Sequence, residues 1–227
     1  MNKNSTRPID LIPRKNLAKA IDLMRMLFGG DRFNLLIDEI QASIDFLDVK
    51  PIKLLDYGCG NMSFSKELLT RNIASCAVGT DLYLHPNNFD NPNISYVSFD
   101  GFFQDCREKF DVTILIDVLH HIEPHLQKSI VNKLLACSRY LIIKDHFESS
   151  FQSRLRLIIA DWFGNFAYGV TIPRRYFSRK SWSQFLLEVD GVELKLQDGV
   201  KVHKGIFGVI IPKHYHFISI LKSKEFT

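Results

Sequence analysis

Five short apolar runs follow one another between residues 52 and 145, and four of them end in or at an aspartate. They are Ile52 to Asp56, Ser75 to Asp81, Ile94 to Phe99, Asp111 to Asp117 and Arg139 to Asp145. None alternates polar with apolar residues. Strands buried on both faces of a parallel sheet have that appearance. Helical stretches separate some of the runs: Phe64 to Leu69 after the first, and Pro124 to Cys137, with Pro at a first turn, after the fourth. Tyr83 to Asn93, rich in Pro and Asn, reads as loop. Two further strands, Val192 to Gln197 and His214 to Leu221, close the chain. The alternation predicts an α/β, doubly wound sheet.

Ahead of the first strand the period is helical. Leu17, Ile21, Met24 and Phe28 share one helix face, Gly29-Gly30 stops it, and Asp31 caps a second helix carrying Leu36, Ile37, Ile40, Ile44 and Leu47. Composition sets the outer bounds. The 227 residues are 46% hydrophobic and 24% charged, which excludes long disorder and suits a globular chain. The longest apolar run, Val112 to Leu119, is broken by Asp117, so no transmembrane span is expected. Met1 to Pro13 has no apolar leader, and the default location is the cytoplasm. Cys59, Cys76, Cys106 and Cys137 are widely spaced, which predicts reduced thiols. The eight His are dispersed and the adjacent His120-His121 should point different ways, so no metal is expected.

Chemistry concentrates at the strand ends. The first strand runs into Asp56-Tyr57-Gly58-Cys59-Gly60, and two glycines there allow backbone to approach a ligand beside a helix start. Ser63 stands where a dinucleotide fingerprint needs its third glycine, which disfavours a nicotinamide enzyme. Asp81 ends the second strand, 21 residues after Gly60, where a carboxylate can accept two ribose hydroxyls. Asp100 follows the third strand and Asp117 ends the fourth. Ligands of open α/β sheets sit outside these carboxyl ends.

In these residues the chain resembles the class I S-adenosylmethionine-dependent methyltransferases. Leu54 to Gly60 looks like that family's first motif, and Val78-Gly79-Thr80-Asp81 like its ribose-binding strand end. Ser98-Phe99-Asp100-Gly101 looks like the acid near the adenine, and Asp117-Val118-Leu119-His120-His121-Ile122 like its fourth motif. The match covers roughly residues 50 to 145 plus the final strand pair, and departs in having Met62 for the usual third glycine. The resemblance implies a seven-stranded Rossmann-like methyltransferase sheet with N-terminal helices and a helical insertion before the last two strands. It implies a methyltransferase domain over 51–227, preceded by a helical segment over 1–50. S-adenosyl-L-methionine is the implied cofactor, held by Asp56, Tyr57, Gly58, Gly60, Asp81, Leu82, Asp100, Gly101, Phe102, Asp117 and Val118.

A methyltransferase acting on a hydroxyl or amine benefits from a base of near-neutral pKa, and His is the natural one. His121, after the fourth strand, and His146, after the fifth, are the candidates. Residues 146–188 form the insertion. Phe147 to Phe185 holds ten aromatics, and its six Lys and Arg against two acids account for the whole net charge of +4. Phe151, Leu155, Ile158, Ile159 and Trp162 trace one helical stripe, which either packs on the sheet as core or forms a lid over the methyl acceptor. Asp161 and Asn165 fall near the substrate on the lid reading, and Arg174, Arg175 and Tyr176 suit an anionic acceptor or a peripheral membrane contact. The expected partner is a small-molecule or lipid-like acceptor. The Asp/Asn-Pro-Pro-aromatic signature of nucleic-acid amino-methylation is missing and the net charge is modest, so a nucleic-acid acceptor, or a non-catalytic cofactor-binding module, is the alternative.

Overall fold

The computed structural model describes residues 32–82, 91–99, 108–165, 173 and 175–226. The first expected helix, over 17–28, and its neighbour Asp31 lie outside that set. Helix α1 (Arg32–Phe46) is followed by β1 (Ile52–Tyr57), α2 (Ser63–Thr70), β2 (Ala74–Asp81), β3 (Ile94–Ser98) and β4 (Phe110–Ile116). Then come α3 (Pro124–Cys137), β5 (Ser138–His146), α4 (Phe151–Asn165), α5 (Arg179–Glu188), β6 (Gly191–Asp198), α6 (Gly205–Ile210) and β7 (His216–Ser223). The strands form one seven-stranded sheet in the order β3-β2-β1-β4-β5-β7-β6. All neighbours from β3 to β5 are parallel, and β7 runs antiparallel to β5 and β6. The strand order turns back between β1 and β4, which opens a crevice at their carboxyl ends.

Both faces of the central strands are covered, as their unbroken apolar runs require. Leu54, Val112, Ile114 and Ile142 face one core with Leu36, Ile37, Ile40 and Ile44 of α1. Their chain neighbours Leu55, Leu115, Leu141 and Ile143 face the other, with Val131, Leu134 and Leu135 of α3 and Trp182 of α5. Each fully buried Leu or Ile contributes roughly 1.5–3 kcal/mol, so this patterning fixes which face each helix covers. The last strand starts two residues later than expected, because Lys213–Tyr215 form a 3-10 turn that carries His214 clear of the sheet.

Two expectations change. Most of the stripe on α4 is not core: Phe151 is 73% exposed and Leu155, Ile159 and Trp162 are also exposed, while Ile158 packs against the Leu157 cluster. The buried side of α4 is instead Ser153 and Leu157, and Leu157 packs with Tyr176, Ile211 and Tyr215. Ser153 Oγ accepts from the backbone N–H groups of Ser149 and Ser150 at 2.9 and 2.8 Å, which fixes the first turn and turns the apolar stripe outward. Cys59 and Cys76 are free thiols, whereas Cys137 is disulfide-bonded, against the expectation of reduced cysteines throughout. Among the described residues no helix is long and apolar enough to cross a membrane.

Candidate active site at the carboxyl ends of the strands

The turn after β1 is shaped by backbone. Gly58 has φ +75°, and a Cβ there would lie 2.3 Å from Val118 Cγ2, so only glycine fits. The amides of Gly58 and Cys59 donate to Thr80 O at 2.8 and 3.2 Å, tying the turn to β2. Gly60 N–H donates to Asp81 Oδ2 at 2.8 Å. Nothing lies within 4 Å of where a Gly60 Cβ would stand, so this stretch of backbone is open to an incoming group. Met62 takes a left-handed conformation, φ 63°, at a cost of about 1–2 kcal/mol. Its side chain is fully buried against Gly79, which offsets that strain and explains how Met serves where glycine is usual.

Asp56 is buried and accepts from Ser65 Oγ at 2.7 Å, linking β1 to α2, and burial pushes its pKa up to about 7. Tyr57 packs its ring on Phe99, 5.9 Å between centroids, so only its backbone belongs to the turn. Leu82, next to Asp81, is 66% exposed. Asp100, Gly101 and Phe102 lie outside the described residues. A depression of about 530 Å³ at the opposite ends of β1 and β2, lined by Lys50, Pro51, Thr70 and Asn72 among others, holds no acid–base pair.

The ends of β4 and β5 are built differently. Lys144, wholly buried, donates from Nζ to Asp117 Oδ1, and Arg32 Nη2 approaches Asp117 Oδ2 to 2.5 Å. Burial opposes the Asp117 charge, but Lys144, His146 and Arg32 together hold its pKa well below the usual carboxylate range. Asp117, expected to contact the cofactor, thus has both oxygens engaged by cations of the chain. His146 Nε2 stands 3.2 Å from Asp117 Oδ1. Its Nδ1 is buried without a hydrogen-bond partner. Burial, then the Lys144 charge, lowers the His146 pKa and keeps the ring neutral.

His120 sits in a second group. Asp145, fully buried, accepts from His120 Nδ1 at 2.6 Å, from the His120 backbone N–H at 3.1 Å and from the His146 backbone N–H at 2.6 Å. Burial disfavours the His120 charge, but Asp145 and then Asp161 outweigh it and lift the pKa to about 10. Asp161, on α4, also accepts from Tyr176 Oη at 2.5 Å. The Tyr176 backbone N–H in turn donates to Glu148 Oε2 at 3.2 Å, and Arg154 grips both Glu148 oxygens. The insertion is therefore anchored by polar contacts on its inner side.

The structure brings together most of what the sequence nominated here. His146, Asp117, Asp161 and Tyr176 converge, and the His121 ring lies beside that of His120, tilted by 49° at 4.1 Å between centroids. Arg175 is exposed, and Arg174 and the Asn165 side chain lie outside the described set. The histidines are not dispersed in space. The rings of His121, His120, His146, His216 and His203 run in sequence at 4.1, 5.1, 4.9 and 5.5 Å between centroids. His120, His121 and Asp161 each place a ligand atom within 4.8 Å of the others, a proximity that spacing along the chain did not suggest. Sequence reasoning missed Lys144, Arg32 and His216. Lys144 could have been noticed, since a charged Lys-Asp-His triplet ends an otherwise apolar strand.

A family model described as a methyltransferase domain matches residues 28–190. The chain belongs to the class I S-adenosylmethionine-dependent methyltransferases. Solved structures agree in fold. A SAM-dependent methyltransferase from Archaeoglobus fulgidus has a TM-score of 0.59 at 14% identity, covering 88% of this chain and 98% of that one. The Burkholderia thailandensis 1,6-didemethyltoxoflavin-N1-methyltransferase, solved with its substrate and S-adenosylhomocysteine, has a TM-score of 0.58 at 15% identity over 98% of both chains. The methyltransferase domain of bacterial CtHen1 has a TM-score of 0.58 at 13% identity, covering 85% of this chain and all of that one. At these identities the likeness is one of fold. No curated protein matches the sequence.

The methyltransferase uses S-adenosylmethionine, and the β1–β2 half fits that group. The open backbone at Gly60 beside the Asp81 carboxylate offers room and an acceptor for hydroxyls, and the exposed Leu82 offers apolar surface next to them.

Proposed function

We propose that the enzyme methylates a small-molecule or lipid-like acceptor at an ionisable hydroxyl or N–H, with His146 as general base. The carrying observation is the Asp117–His146 pair: Nε2 is engaged by Asp117 and Nδ1 is left buried with its lone pair unused. S-adenosylmethionine supplies a methyl group activated on sulfonium. The acceptor's proton passes to His146 Nδ1 as its oxygen or nitrogen takes the methyl, the methyl–sulfur bond breaks to leave S-adenosylhomocysteine, and Asp117 stabilises the imidazolium that forms. Lys144 and Arg32 hold Asp117 ionised and in place. His120 is unsuited to that role, because Asp145 engages its Nδ1 and the Asp161 carboxylate faces its Nε2.

The insertion supports a small or lipid-like acceptor over RNA. Two of its basic side chains are paired: Arg154 with Glu148, and Arg179 with Asp198 through both nitrogens. That leaves less free charge for tracking phosphates. The outward stripe of Phe151, Leu155, Ile159 and Trp162 supports the lipid-like end of the range and a peripheral membrane contact.

Methyl-label transfer from S-adenosylmethionine into host metabolite, lipid and RNA extracts, analysed by mass, tests this. Label in a metabolite or lipid is expected. Label confined to RNA, or no label with the cofactor bound, overturns it.

A further inference from the structure

Beside His146, at 5.1 Å between ring centroids, His120 belongs to a group that neither cofactor binding nor proton transfer uses. His120 Nε2 is fully buried and has no hydrogen-bond partner. Asp161 Oδ2 stands 3.3 Å from it, an ion pair whose Nε2 proton a bound dication would replace. The third group, His121, brings its ring to 4.1 Å from the ring of His120, and one ligand atom of each residue lies within 4.8 Å of the others. We propose that His120, His121 and Asp161 hold a transition-metal dication of the zinc, cobalt or manganese class.

Spacing supports this. Two ligands bonded to one tetrahedral ion at about 2.0–2.1 Å stand roughly 3.3 Å apart, the separation found between Nε2 and Oδ2. The supporting contacts also fit. A metal-bound imidazole usually donates its other N–H to a carboxylate, which fixes tautomer and ring orientation. Asp145 does this for His120, at 2.6 Å to Nδ1, and a backbone N–H holds that carboxylate in turn. Tyr176 Oη donates to Asp161 Oδ2 at 2.5 Å, steadying the carboxylate ligand from the α4 side. Two imidazoles and one carboxylate favour the borderline metals over magnesium or calcium, which prefer oxygen.

Three protein ligands leave a coordination position for an oxygen. On the methylation reading above, that position takes the acceptor hydroxyl. A cation there would lower the hydroxyl pKa, the proton would still go to His146, and the oxygen would take the methyl carbon as that carbon's bond to the sulfonium sulfur breaks. Metal binding itself stands on geometry and does not depend on that reading.

The test uses the full, tag-free chain, stripped with chelator and titrated with Co²⁺ alone, without cofactor or acceptor. One equivalent binding with visible ligand-field absorption, displaced by Zn²⁺, is expected. His121→Ala and Asp161→Asn should each weaken binding by about 100-fold, whereas His125→Ala, on exposed α3 surface, leaves it unchanged. His121→Gln serves as a second variant should His121→Ala unfold. No stoichiometric site, or equal affinity in the ligand variants and wild type, overturns the proposal and leaves an ion-paired histidine between two carboxylates. Calorimetry with S-adenosylmethionine on the same samples separates the two readings, because loss of the metal site leaves cofactor binding at Asp81 and Gly60 intact.

Discussion

The two halves of the sheet's carboxyl edge solve different problems. At β1 and β2 the turn is made of backbone, two glycines and acids with local contacts, such as Asp81 to Gly60 and Asp56 to Ser65. At β4 and β5 the charges interlock: Asp117 meets Lys144, Arg32 and His146, while Asp145 meets His120 twice and the His146 amide. The first half leaves room for a large ligand to supply its own polar groups. The second is already satisfied internally except at imidazole nitrogens, which suits chemistry on a proton. Binding and catalysis should therefore separate when each half is altered.

The largest effect is expected from Lys144→Met, which leaves Asp117 without its buried partner and should lower stability by about 3–5 kcal/mol in urea unfolding. The double variant with Asp117→Asn should regain a substantial part. A full loss in the double variant would show that Lys144 matters for packing alone. In the other half, Asp81→Ala removes the carboxylate proposed to accept two ribose hydroxyls. Calorimetry should show S-adenosylmethionine affinity falling about 100-fold, with unfolding barely moved. An unchanged affinity would break the assignment of this half to the cofactor.

Gly58→Ala meets both a positive φ and the Val118 methyl at 2.3 Å, and should cost about 2 kcal/mol, partly recovered by Val118→Ala. Smaller still per unit of pH is the effect of Asp56. Burial raises its folded pKa from 3.8 to about 7, so the folded state keeps a proton that the unfolded chain releases. Stability contributed by that proton is present below pH 4 and lost as pH rises toward 7, with a limiting slope of about 1.4 kcal/mol per pH unit. Asp56→Asn should remove this slope from the unfolding profile, and a slope that persists would place the proton elsewhere.

The same contrast governs how much the sequence revealed. The turn Asp56 to Gly60 is contiguous and Asp81 closes the next strand, so a family resemblance in these residues nominated a cofactor half, and the parallel sheet followed from unbroken apolar strands. The β4–β5 half joins Arg32, Asp117, His120, Lys144, His146, Asp161 and Tyr176, which meet only because β5 lies beside β4 and α4 folds back over both. His216 joins them through the antiparallel pairing of β7 with β5, a long-range register that no local pattern encodes. The stripe on α4 misled for a related reason. Apolar spacing identifies a helix face but not the side its neighbours cover, and Leu157 with Asp161 proved to be the inner one.

The division of labour is tested most directly by assaying wild type and His146→Ala side by side for S-adenosylmethionine affinity and for label transfer into a host extract. His146→Ala should bind the cofactor within about twofold of wild type while transferring label 10²–10⁴-fold more slowly. Equal transfer rates, or a matching loss of cofactor affinity, would contradict the assignment of proton chemistry to the β4–β5 half.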